Sequence, residues 1–83
     1  MTPEEISKRI QEKLPGARVS IRDLTGTADH WEVTVVAPAF EGKSMLDQHR
    51  LVKGFFETEI ASGILHAFSL KTYTPDEWVQ KGK

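Results

Sequence analysis

The sequence contains no cysteine. That excludes disulfides, a thiolate nucleophile and any cysteine-based metal site built by this chain alone, and it fits a reducing compartment. A large charge excess is missing too. Eleven lysines and arginines against twelve aspartates and glutamates leave a net charge of −1 and a pI of about 6.3. Dedicated nucleic-acid binders usually carry a basic excess, because phosphate neutralisation supplies most of their affinity. The balance here counts against that class without removing it. No apolar run approaches a membrane span, and the amino-terminal residues are acidic and amphipathic, unlike a signal peptide. The expected location is the cytoplasm, with no membrane partner. What is present is 83 residues, 39% hydrophobic and 28% charged, an ordinary composition for a folded domain. A chain of this length buries only about 60–65% of the surface that its unfolded form exposes. One domain over residues 1–83 with a small core is expected.

Local signals divide the chain into elements. Thr2-Pro3-Glu4-Glu5 combines an N-cap, a proline suited to the first helical position and a capping-box glutamate. Ile6, Ile10 and Leu14 follow at helical spacing, and Pro15-Gly16 ends the helix. Val19 and Ile21 alternate with Ser20 and Arg22 in a strand over residues 17–24. Polar residues 25–29 lead to His30 and a second strand over 31–37, where Trp31, Val33 and Val35 share a face; a short glycine-containing connection predicts an antiparallel hairpin. Ser44 caps a long helix running to about residue 62, with Met45, Val52, Phe56 and Ile60, joined by Phe55, as its buried face and Gly63 as its end. Within Ile64-Leu65-His66-Ala67-Phe68-Ser69-Leu70-Lys71-Thr72-Tyr73-Thr74-Pro75 a third strand begins at His66 and runs directly into a helix start, with His66, Phe68 and Leu70 on one face. Thr74-Pro75-Asp76-Glu77 repeats the first capping signature and opens a short helix carrying Trp78.

The crossover helix lets the second and third strands lie parallel. The expected fold is α+β, a three-stranded mixed sheet packed against helices. Its order is αββααβα or αββαβα. Its core should comprise Ile6, Ile10, Val19, Ile21, Val33, Val35, Val52, Phe56, Phe68 and Leu70.

Chemistry is suggested only by the histidines. His30 and His66 both stand at strand starts, which parallel pairing would bring to one end of the sheet, close enough to share an ion or cluster. The plain alternative for His66 is a partly buried imidazole bonded to backbone; the other is a ligand aimed by a rigid strand. Two ligands cannot complete a tetrahedral site, so others must come from elsewhere. His49, inside the long helix, reads as structural, packing on a helix flank or bonding a neighbouring loop. No enzyme signature is found. Ser44 lacks a nucleophile elbow, no His-x-x-x-His pattern occurs, and Gly42-Lys43-Ser44 has Ala37 where a phosphate loop needs its first glycine.

Three motifs in order, Phe40-x-Gly42-Lys43-Ser44, Gln48-His49-Arg50-Leu51-Val52 and His66-Ala67-Phe68-Ser69-Leu70-Lys71-Thr72-Tyr73-Thr74-Pro75, resemble those of the BolA family over nearly the whole chain. The resemblance implies a fold similar to the class II KH domain. It also implies a non-enzymatic adaptor that pairs with a monothiol glutaredoxin around a bridged [2Fe–2S] cluster, in iron–sulfur trafficking or iron and redox sensing. The family's strand-start histidine, a cluster ligand, matches His66. Its second ligand, a Cys or a His from the hairpin loop, carries over to His30, while Thr27 stands where other members have the Cys. The chain alone would hold no cluster: the thiolates would come from the partner's cysteine and glutathione. Homodimerisation of the apo form is left open.

The resemblance carries an alternative, a DNA-binding transcriptional regulator using the KH-like fold. Lys43 and Lys53 would then contact nucleic acid, weakly and with strong salt dependence. A KH module clamps backbone with a Gly-x-x-Gly loop, and Gly42-Lys43-Ser44-Met45 lacks the second glycine.

Overall fold

The computed structural model describes residues 2–23, 30–63 and 67–81; for residues 23, 30, 67, 68 and 81 the description is of the backbone alone. Helix α1, Pro3–Lys13, starts at the predicted capping box. Glu5 N–H donates to Thr2 Oγ1 at 3.2 Å, and Thr2 N–H donates to Glu5 Oε1 at 3.4 Å, so two amides that the helix cannot pair are satisfied. Ile6 and Ile10 are fully buried and Leu14 nearly so. Gly16 turns the chain at φ +84°, a conformation that costs glycine nothing and a side chain much more.

Strand β1, Arg18–Asp23, pairs antiparallel with β2, His30–Val36. Strand β3, Ala67–Tyr73, lies parallel to β2 on its other side, giving the order β1-β2-β3. This is the expected three-stranded mixed sheet. The register sets Val35 beside Val19 and Val33 beside both Ile21 and Leu70. Trp31, Val33, Val35, Leu70 and Thr72 are buried together on one face, under α1 and the following helix α2, Met45–Gly54. Val19 and Ile21 are only half-buried against this core, because β1 is an edge strand and its outer flank lacks a neighbour among the described residues. On the opposite face Glu32 lies 3.9 Å from Arg22 and 3.7 Å from Lys71, exposed pairs that each contribute little. The expected core position Phe68 falls among the residues whose side chains are outside the description.

The long helix divides. Helix α2 ends at Gly54 and α3 spans Glu57–Ser62, which selects the αββααβα order. Between them the Phe55 and Phe56 amides each donate at 3.0 Å to carbonyls three residues back, those of Val52 and Lys53, and Phe56 leaves the helical region at φ −121° and ψ 21°. The tighter turn resets the helical phase for α3 and moves Ile60 off the expected buried face, whereas Met45, on the same helix as Val52, is exposed at its first position. Val52 and Phe56 are fully buried as anticipated, but Met45 is 67% and Ile60 40% exposed. Gln48 takes the inward position four residues before Val52, and α3 buries none of its side chains. A 3₁₀ turn, Pro38–Phe40, drops Phe40 into the core with no exposure at all.

Arg9 of α1 braces the break. Its Nη1 donates to the Phe55 carbonyl at 3.2 Å and to Glu59 Oε1, while its guanidinium carbon lies 5.2 Å from the centre of the Phe56 ring. One side chain thereby satisfies a carbonyl at the break, covers an aromatic face and pairs with a carboxylate of α3. The chain then closes with α4, Pro75–Lys81, whose start is the predicted second box: Thr74 N–H donates to Glu77 Oε1 at 2.8 Å, and Glu77 N–H to Thr74 Oγ1 at 3.2 Å. Trp78 packs 5.4 Å from Tyr73, ring centre to ring centre.

The Arg9 hydrogen bond holds the Glu59 carboxyl below the usual carboxylate range. A lowered folded-state pKa contributes stability above the unfolded-state value and loses it as pH falls through the folded value. Glu59→Gln is expected to lower the melting temperature at neutral pH, and the deficit should shrink toward zero as the medium is acidified past the carboxylate range. Melting curves of both proteins across pH check this; a deficit independent of pH would contradict it.

Candidate functional site

Parallel pairing decides where the strand starts lie. His30 is the first residue of β2, and its in-register partner is Ala67, the residue that follows His66 in the chain. The two strands therefore begin at one end of the sheet, as expected. The ligand assignment to His66 itself lies outside the described residues, and for His30 the description stops at the backbone. Among the described residues no group of three or more histidine, aspartate or glutamate side chains is arranged to hold a metal ion. The shared-site expectation is thus supported by strand placement and by no measured side-chain geometry.

Next to His30, Trp31 is 4% exposed, and its Nε1 has no hydrogen-bond partner among the described residues; Thr72 Oγ1, also buried, is in the same condition. A polar atom on the covered face of a small sheet is costly when its lost hydration is not replaced by another partner. Neither was foreseen. Alternation put Trp31 on the buried face correctly, but the fate of its indole N–H depends on residues distant in sequence.

His49 is half-buried on α2, where it lines a cavity of about 90 Å³ with Met45, Leu70, Thr72 and Tyr73. Its packing role is as expected, but the loop is bonded by its neighbour. Gln48, 5% exposed, donates through Nε2 to the Lys43 carbonyl at 3.0 Å and the Phe40 carbonyl at 3.4 Å. This tether fixes the Phe40–Ser44 loop, in which Gly42 adopts φ +80°. Ser44 is an N-cap, accepting from the Asp47 amide at 3.1 Å, in line with a turn and not a phosphate cradle. Lys43 and Lys53 are both exposed. Lys43 precedes the Ser44 cap of α2 and Lys53 stands in its last turn, so a helix rise of roughly 12 Å, from Met45 to Lys53, lies between them and they do not form one cluster.

Replacing Thr72 by Val keeps the shape and removes the orphaned hydroxyl. The variant is expected to gain about 1 kcal/mol of stability in urea unfolding; a loss of that size would show that the hydroxyl is satisfied in solution.

A family model described as BolA-like protein matches residues 7–77. BolA-like protein 2 of Homo sapiens is 34% identical over 83 residues, an alignment covering 98% of this chain and 94% of the relative. Among solved structures, a bolA protein homologue from Coxiella burnetii is 39% identical, with a TM-score of 0.77 and coverage of 95% of this chain and 97% of that one. Yeast Fra2 in solution is 32% identical with a TM-score of 0.73, covering 94% and 84% respectively. These likenesses extend through the sheet, its crossover and the amino-terminal helix, and on them the chain belongs to the BolA-like protein family.

Proposed function

We propose that this chain is a BolA-like adaptor that pairs with a monothiol glutaredoxin and supplies histidine ligands to a bridged [2Fe–2S] cluster, in iron–sulfur trafficking or iron and redox sensing. The observation that carries the reading is the register of β2 on β3, with His30 abreast of the residue that follows His66. The donor set fits a shared site. With no cysteine in the chain, it can offer imidazoles only, so the thiolates fall to the partner's cysteine and to glutathione. When bound, the cluster would supply one-electron chemistry, and imidazole ligation would place its potential above that of an all-thiolate site.

The roles of the two histidines differ. His66, the residue that precedes β3 in the chain, is the indispensable ligand. His30 opens the central strand directly after the hairpin connection, and it tunes cluster stability and transfer. Both must be neutral to bind metal, so cluster retention weakens as pH falls through the imidazole range. The described residues include no helix long and apolar enough to cross a membrane.

The test is to mix the protein with a cluster-loaded monothiol glutaredoxin and record visible absorption and stoichiometry. His66→Ala should abolish the spectrum of the mixed complex while leaving far-UV circular dichroism unchanged. His30→Ala should weaken or alter it, and association of the apo proteins should survive both. An unchanged mixed-complex spectrum in His66→Ala would overturn the proposal.

A further inference from the structure

Strand β1 is an edge of the sheet. In an antiparallel pair, alternate residues direct their backbone N–H and C=O groups away from the partner, so the outer flank of Arg18–Asp23 presents a row of groups able to pair with another strand. Edges are usually guarded by a bulge, a proline, a covering loop or charge. Here the guard is charge, and it is all of one sign on the open face of the strand: Arg18 and Arg22.

The two faces beside this edge differ in chemistry. On the core side, the half-buried Val19 and Ile21 meet the flank of α1, where Pro3, Ser7 and Gln11 stand one helical turn apart. Together with Glu4 and Lys8 of the same helix they line an open groove of about 390 Å³, apolar on its strand side and charged at its α1 rim. On the opposite face Arg22 is 73% exposed and lies 3.9 Å from the Glu32 carboxylate, which Lys71 also approaches. Arg18 forms no ion pair among the described residues, and it borders a second groove of about 290 Å³ floored by Val36 and Trp78.

We propose that the outer edge of β1 docks an extended peptide strand from another protein, with side chains alternating between apolar and acidic. Backbone pairing would add a fourth strand to the sheet. Because side chains alternate across a strand, the apolar set of the incomer would enter the α1 groove beside Val19 and Ile21, and the acidic set would stand abreast of Arg18 and Arg22. This surface runs along the flank of the sheet from Arg18, far from the strand starts, to Arg22, whose in-register partner Glu32 is two residues from His30; the proposal does not depend on the cluster reading.

A second copy of this chain is the obvious competitor, and its own charges disfavour it. Self-pairing that keeps the core faces aligned and is centred on Ser20 would set Arg18 opposite Arg22 of a second copy at both ends of the ladder. Like charges directly opposed destabilise such a pair. The arginines thus repel a copy of the same strand while attracting an acidic one, which is how one feature provides selectivity through both attraction and repulsion.

The experiment titrates the full-length protein, labelled with ¹⁵N, with acetyl-Glu-Val-Glu-Val-Glu-Val-amide. Two controls accompany it: the peptide with Lys for Glu, and the acidic peptide N-methylated at alternate residues. The acidic peptide is expected to shift the amides of residues 18–23, slow their hydrogen exchange and bind at least tenfold more tightly than the lysine peptide. N-methylation on the pairing edge should remove binding. The double substitution Arg18→Glu and Arg22→Glu should invert the preference between the charged peptides; if that variant does not fold, the N-methylated peptide against the unaltered protein decides. Equal affinity for both charged peptides would overturn the proposal, as would shifts confined to α2 and α3. Protection of β1 that grows with protein concentration in the absence of peptide would assign the edge to self-association and overturn it too.

Discussion

The parallel pairing of β2 with β3 is the constraint on which the rest of the molecule depends. Parallel neighbours cannot be joined by a tight turn; the chain must leave one end of the sheet and return to the other. Here the about thirty residues between Val36 and Ala67 make that journey. They contain the 3₁₀ turn, α2 and α3, and they contribute Phe40, Val52 and Phe56, all fully buried, to the core. The same return sets His30 abreast of Ala67. Core and candidate site are consequences of one topological requirement.

A crossover must also fit a small sheet. A straight helix of eighteen residues would rise about 27 Å, longer than a strand of seven residues at roughly 23 Å. The division at Phe55 and Phe56 shortens the path and lets two adjacent aromatics turn toward the interior, Phe56 completely and Phe55 in part. Breaking a helix exposes carbonyls, and Arg9 from α1 covers the one at Phe55. Gln48 does comparable work at the other end of α2, holding two carbonyls of the Phe40–Ser44 loop. Each bond joins segments that hydrophobic burial alone would leave free to shift.

What was legible in the sequence was what is decided locally. Both Thr-Pro-acid-Glu boxes formed because their partners lie three residues apart, and the Ser44 cap followed for the same reason. The alternation of Trp31, Val33 and Val35 gave the right face because β2 is central and one face of the sheet is covered. Reading failed where distant partners decide. Ile60 shared a helical face with Val52 only on the assumption of one unbroken helix, and Met45, though on the face of Val52, stands at the first position of α2 and is exposed. Val19 and Ile21 carried a core pattern but sit on an edge. Arg9 and Gln48 looked like ordinary surface residues, because what they bond is set by tertiary contact. Of the candidate site, the shared sheet end was legible from strand order, whereas the direction of each imidazole is not a property of sequence spacing.

The central claim is that this chain ligates the cluster through histidine nitrogen. Its most direct test is pulsed electron paramagnetic resonance on the reduced mixed complex, with only this protein's histidines labelled with ¹⁵N. The account predicts hyperfine couplings that change from the ¹⁴N to the ¹⁵N pattern on labelling and disappear in His66→Ala. Couplings unaffected by labelling this chain, in a complex that nonetheless holds the cluster, would contradict it.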